Sequence, residues 1–158
     1  MSMPTAKTII ELIYGVVADN NLSRILPVLD EHIVLYIAGY GPRTGEYHGR
    51  SGFLTMMAGV YQLCENLSVN SLAYFIPEKD RSPEAIIATG VFEGILLADN
   101  KSAVLPFLHY WQLKDEKVVE LRAFNWASAE LISRIRQEKK GPDLPLNGYP
   151  NSRDGLGS

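Results

Sequence analysis

The sequence predicts an α+β domain in which a helical N-terminal half is followed by a curved, antiparallel-rich sheet. Three observations support this. Apolar residues recur at helical spacing through the first third of the chain, long β-rich runs fill the stretch from Leu67 to Asn125, and 158 residues is about the size of one domain. The runs are joined by short turn-forming segments, which suit consecutive hairpins and are too short for parallel crossovers.

Ile9, Ile13 and Val16, with Ile10 and Val17 beside them, form an apolar stripe that also carries Tyr14 and predicts a first helix from Thr5 to Asp19. Leu22, Ile25, Leu26 and Leu29 repeat the pattern after Asn20-Asn21, and Pro27 predicts that this second helix is short and kinked or in two pieces. Ile33 to Ala38 is an unbroken bulky apolar run ending in Gly39-Tyr40-Gly41-Pro42, which predicts a strand entering a loop. The glycine-rich segment from Gly41 to Gly49 is expected to be a connector. Ser51 is a candidate N-cap for a third helix to about Glu65, bearing Phe53, Met57, Val60, Tyr61 and Cys64. Strands are expected over Leu67–Ile76, Ala85–Ala98, Ala103–Leu113 and Val118–Asn125, broken at Pro77–Pro83, Asp99-Asn100 and Lys114–Lys117. A last helix is expected over Ser128–Glu138. The single domain thus occupies 1–140. The Gly/Pro-rich tail 141–158 has no period and is expected to pack on the domain or on a partner subunit through Leu144, Leu146 and Tyr149.

Composition excludes several function classes. Fifteen Lys and Arg against eighteen Asp and Glu give a net charge of −3, and no basic run supplies the footprint that nucleic acid requires. The one cysteine, Cys64, forms neither an internal disulfide nor a multi-cysteine metal site, is expected to be a small core residue, and fits a reducing cytoplasm. His32 and His48 lack a Cys or carboxylate at ligand spacing, so no metal or other cofactor is expected. Glu93 and His109 interrupt the longest apolar runs, so a membrane span of roughly 18 residues is not expected either. The stretch from Ile9 to Ala18 contains Glu11 and reads as mature protein.

The order of helices, early strand and long-strand meander resembles the nuclear transport factor 2-like superfamily. The segment Gly41-Pro-Arg-Thr-Gly-Glu-Tyr-His-Gly-Arg50, before a helix bearing Phe53 and Met57, resembles the signature that opens the third helix of SnoaL-like polyketide cyclases. Lys117-Val-Val-Glu-Leu-Arg-Ala-Phe124 is similar to the penultimate motif of ketosteroid isomerases and SnoaL-like domains. The resemblance spans about residues 5–138. It implies a cone-shaped sheet wrapped around three N-terminal helices, a mostly apolar pocket and a dimer, while function has to be argued from the site.

Strand parity places Leu105, Phe107, His109, Trp111 and Leu113 on one face, with His109 the polar member. In the last strand Val119, Leu121, Ala123 and Asn125 share a face, opposite Val118, Glu120, Arg122 and Phe124. By resemblance, His109 falls where ketosteroid isomerases keep the carboxylic acid of their oxyanion hole, and Ile37 falls where they keep the base. Phe107, His109 and Ala123 fall where limonene epoxide hydrolases use an arginine and two aspartates. Asn125-Trp126 stands where SnoaL-like cyclases often carry an acidic residue. The expected catalytic set is therefore His109, Tyr14 and Asn125. Ile37, Phe53, Met57, Tyr61, Phe92, Phe107, Trp111, Leu121 and Ala123 are expected to form the walls of a pocket for a small hydrophobic carbonyl compound.

The outer sheet face would carry Val104, Leu108 and Tyr110 beside Val118, Phe124 and Trp126, which predicts a homodimer packed sheet to sheet. Three functions are open on the sequence. One is a cofactor-free isomerase, cyclase or dehydratase using His109 as acid/base. The others are a non-catalytic binder of a hydrophobic ligand and a dimeric interaction domain with a filled interior.

Overall fold

The first apolar stripe folds as α1 (Ala6–Asp19). Thr5 caps it by accepting the Thr8 amide, and Asn20 ends it in the left-handed region at φ 54°. Its buried face carries Ile9, Ile10, Ile13, Tyr14, Val16 and Val17. The predicted second helix is instead two separate 3-10 turns, Leu22–Arg24 and Leu26–Val28. Pro27 cannot supply an interior helical N–H, and Leu29 already belongs to the next strand. The computed structural model describes residues 5–38, 44–77 and 82–137. The predicted tail contacts of Leu144, Leu146 and Tyr149 lie outside the described residues.

Strand β1 (Leu29–Ala38) starts four residues earlier than predicted. The glycine-rich connector contains a strand the sequence did not reveal, β2 (Gly45–His48), antiparallel to β1 with Tyr47 opposite Leu35. Helix α2 (Gly49–Leu63) follows without a loop. Gly49 makes the turn at φ 74°, so the helix begins two residues before Ser51 and His48 occupies the N-cap position. Arg50 donates from Nε to the Leu29 carbonyl at 2.9 Å, which ties the start of α2 to the start of β1.

The remaining chain forms the predicted meander: β3 (Cys64–Phe75), β4 (Glu84–Leu96), β5 (Lys101–Lys114) and β6 (Lys117–Asn125), each antiparallel to the next. Cys64 is the first residue of β3 and not part of a helix. The six-stranded order is β2-β1-β6-β5-β4-β3, with β1 parallel to β6. Helix α2 touches both β1 and β3, which stand at distant places in that order, so the sheet curls around the helices. Helix α3 (Ala129–Gln137) closes the described chain, with Ser128 Oγ accepting the Leu131 amide at 3.0 Å. No helix among the described residues is long and apolar enough to cross a membrane.

The predicted parity of β5 matches the structure, where Phe107, His109, Trp111 and Leu113 are buried. The parity of β6 is broken by a bulge. Gln112 pairs with Glu120 and Leu113 with Val118, which leaves Val119 as the extra residue. Val118 therefore turns into the core and leaves the predicted outer patch, while Leu121 and Ala123 still face inward. Val104, Phe124 and Trp126 remain exposed on the outer side, joined by Tyr36.

Gly90 is needed for close approach. A Cβ there would lie 2.8 Å from Phe107 Cζ, so only hydrogen lets the Phe107 ring lie across β4. Gly90→Ala is expected to lower stability by about 1–3 kcal/mol through overpacking. Urea denaturation measures it, and a loss within experimental error would show that the ring can move aside.

Candidate functional site

A cavity of about 210 Å³ lies between the concave face of the sheet and the helices. Its chemistry follows from one row of residues across the sheet. Tyr74, Ala88, His109, Ala123 and Ile37 are successive partners on β3, β4, β5, β6 and β1. Alanines thus flank His109 on both sides, and their short side chains leave space around the imidazole.

His109 is 6% exposed, the one buried polar side chain among the described residues. Its Nδ1 lies 2.7 Å from the Tyr14 hydroxyl on α1. The Trp111 indole Nε1–H, two residues along β5, donates to the same hydroxyl at 3.0 Å. Phe107 stacks on the other side of the imidazole with centroids 4.1 Å apart, and Phe92 packs on Phe107 at 4.5 Å. The imidazole is therefore fixed in plane by an aromatic stack and in rotation by a hydrogen bond. Burial pushes its pKa down to about 3, so the ring is neutral at physiological pH. Burial also raises the Tyr14 phenol above its ordinary value and keeps it protonated.

His109, Tyr14 and Asn125 all reach the cavity wall. Asn125 Oδ1 is buried and has no hydrogen-bond partner among the described residues. Of the expected wall residues, Ile37, Phe53, Met57, Phe92, Trp111, Leu121 and Ala123 line the cavity. Phe107 and Tyr61 do not. Phe107 is core beneath the imidazole, held there by the space at Gly90. Tyr61 turns toward α1, where its hydroxyl donates to the Val17 carbonyl at 2.8 Å, and burial raises its pKa to about 12.

Sequence reasoning missed the contribution of α3. Leu131 and Ile135 from this helix cover the cavity, and Arg134 holds it to the turn between β4 and β5. Arg134 grips Asp99 with two bonds, at 2.6 and 3.1 Å, and donates to the Lys101 carbonyl at 3.0 Å. The i, i+4 spacing of Leu131 and Ile135 was the available signal. Glu93 also borders the cavity, but the alternation of β4 directs inward Ile86, Ala88 and Phe92 and sends its carboxylate outward. No cluster of three His, Cys, Asp or Glu able to hold a metal occurs among the described residues.

No protein-family model and no curated protein matches the sequence. Solved structures do match the architecture. A polyketide cyclase candidate from Xanthomonas campestris pv. campestris is similar at TM-score 0.69 and 13% identity, covering 82% of this chain and 96% of that one. An NTF2-like protein of unknown function from Burkholderia pseudomallei is similar at TM-score 0.66 and 17% identity, over 82% and 95%. The fold is NTF2-like. TerC, crystallised with polyporic acid, is similar at TM-score 0.64 and 22% identity, over 79% and 98%. An isomerase candidate from Bacillus subtilis reaches TM-score 0.70 at 10% identity, over 85% and 94%.

The buried imidazole makes stability depend on pH. The folded pKa of about 3 lies below the ordinary histidine value of about 6.5 in the unfolded chain, so the unfolded state binds the extra proton. Stability is expected to be full above the unfolded value and to fall as pH drops toward the folded one. Urea denaturation at neutral and mildly acidic pH should show a smaller pH effect in His109→Gln than in the native protein, and equal slopes would rule the assignment out.

Proposed function

We propose that this NTF2-like protein binds a small hydrophobic carbonyl compound in the cavity and performs acid/base chemistry on it, of the isomerase, cyclase or dehydratase kind. The observation that carries the reading is His109, a neutral, hydrogen-bonded imidazole on an otherwise apolar wall. An apolar cavity supplies binding through buried area, and a single oriented polar group acts where charge develops on the ligand. Asn125 is the second polar group near the reacting end. The cyclase and isomerase candidates among the structural neighbours support this direction of reading. No cofactor enters the proposal, and the lone cysteine suits a cytoplasmic setting.

The second reading is a non-catalytic binder of the same class of ligand. It is favoured by the cavity wall itself, where the one carboxylate residue among the described residues, Glu93, belongs by alternation to the outer face.

We also propose a homodimer through the outer face, where Val104, Phe124, Trp126 and Tyr36 are exposed beside Arg122 and Glu120. A second copy would cover this surface, which alternation along the strands puts on the face of the sheet opposite the cavity.

Proton–deuterium exchange beside the carbonyl of simple cyclic ketones, followed by NMR, tests the chemistry. The native protein is expected to accelerate exchange, and His109→Ala to lose about 10²-fold or more of that acceleration while remaining folded. Ketone binding without exchange would favour the binder, and neither binding nor exchange would overturn both readings. For the dimer, Phe124→Glu is expected to halve the mass measured by sedimentation, and a native protein already monomeric at high concentration would refute it.

A further inference from the structure

The contacts at His109 carry a direction that fixes which edge of the imidazole a ligand meets. We infer that Trp111, Tyr14 and His109 form a one-way hydrogen-bond relay in which Trp111 and Tyr14 are positioning residues, holding His109 as the Nε2–H tautomer and presenting the cavity with a hydrogen-bond donor for an acceptor oxygen of a neutral ligand.

The direction begins at Trp111, because an indole nitrogen can only donate. Trp111 Nε1 lies 3.0 Å from the Tyr14 oxygen, which therefore accepts. The phenol keeps one proton to place, and His109 Nδ1 lies 2.7 Å away. Two arrangements satisfy that distance. In the first, Tyr14 donates to an unprotonated Nδ1. In the second, Tyr14 accepts from Nδ1–H as well, and its own proton needs another acceptor. Among the described residues no other acceptor lies within hydrogen-bond distance of the Tyr14 hydroxyl, so the second arrangement leaves two groups without a partner, the phenol proton and a bare Nε2, where the first leaves only Nε2–H. Leaving two such groups unpaired is the more costly outcome. Ionising the phenol instead is opposed by its burial. The first arrangement therefore holds, and each bond in it strengthens the next.

With Nδ1 accepting from Tyr14 and the ring neutral, the remaining proton of the imidazole is on Nε2. Nε2 has no hydrogen-bond partner among the described residues, and His109 belongs to the cavity wall. Stacking on Phe107 at 4.1 Å keeps the ring from turning its other edge inward. The role of His109 in the proposed chemistry is accordingly that of the acid partner, donating to an oxygen and stabilising charge that develops there, while a water in the cavity takes the proton from carbon. Tyr14 does not touch the ligand through its proton, which is already committed to Nδ1. The cavity selects neutral molecules, since a charged group in such walls would lack solvation.

The relay stands on this geometry alone, whereas its pairing with a carbonyl oxygen rests on the function proposed above. Two-bond ¹H–¹⁵N NMR of the full chain near neutral pH tests the relay. The protein has only three histidines, and His109 is assigned by its loss in His109→Gln. The native spectrum is expected to show the Nε2–H pattern. Tyr14→Phe should lower the ratio of Nε2–H to Nδ1–H about tenfold, and Trp111→Phe should lower it less. An Nδ1–H pattern in the native protein overturns the relay, as does an unchanged ratio in Tyr14→Phe. Should Tyr14→Phe not fold, the native spectrum and Trp111→Phe decide. Acetophenone labelled with ¹³C at its carbonyl then separates the two proposals. A downfield displacement on binding that is absent in His109→Phe supports both. An Nε2–H pattern without that displacement leaves the relay standing and overturns the carbonyl reading.

Discussion

The bond between Tyr14 and His109 is the constraint on which the site is built. It joins α1 to β5 across 95 residues of sequence, and it makes a buried imidazole tolerable in an apolar interior. A buried polar group left without a partner costs roughly 1–3 kcal/mol, so the register of α1 against the sheet is set by chemistry as well as by shape. Other features follow from placing that ring there. Ala88 and Ala123 flank it with little bulk, and Gly90 lets Phe107 lie flat beneath it. Trp111 fills the remaining side and completes the hydrogen bonding of the phenol.

The cavity exists because the sheet curls further than the helices can fill. Helices α1 and α2 cover most of the concave face, and the short α3 closes the rest with Leu131 and Ile135. Held by Arg134 to Asp99, α3 makes one part of the cavity wall depend on an ion pair, whereas the part around His109 depends on packed aromatics.

Legibility in the sequence tracked periodicity. Helix α1 and the four-strand meander were readable because their apolar residues recur over many turns or many alternations. Strand β2 was not, since Gly45-Glu46-Tyr47-His48 has no apolar alternation and is a strand only because β1 pairs with it. The second helix is legible only as two pieces, because four leucines and isoleucines imitate a helical face that Pro27 interrupts, and each piece is a single 3-10 turn. Val118 lies opposite to the side that strand parity predicts because a single bulged residue, Val119, reverses parity without any mark in composition.

By itself the sequence determined the class of fold, the inward face of β5 and the presence of one imidazole on it, because alternation along a strand is a local property of the backbone. Only the tertiary structure decided what that imidazole meets. Tyr14 becomes its partner because α1 packs on the concave face of the sheet and carries the phenol within reach of β5, Tyr61 leaves the site because its hydroxyl reaches the end of α1, and α3 joins the wall because the chain returns over the cavity. These are contacts between residues far apart in the chain, and no local period encodes them.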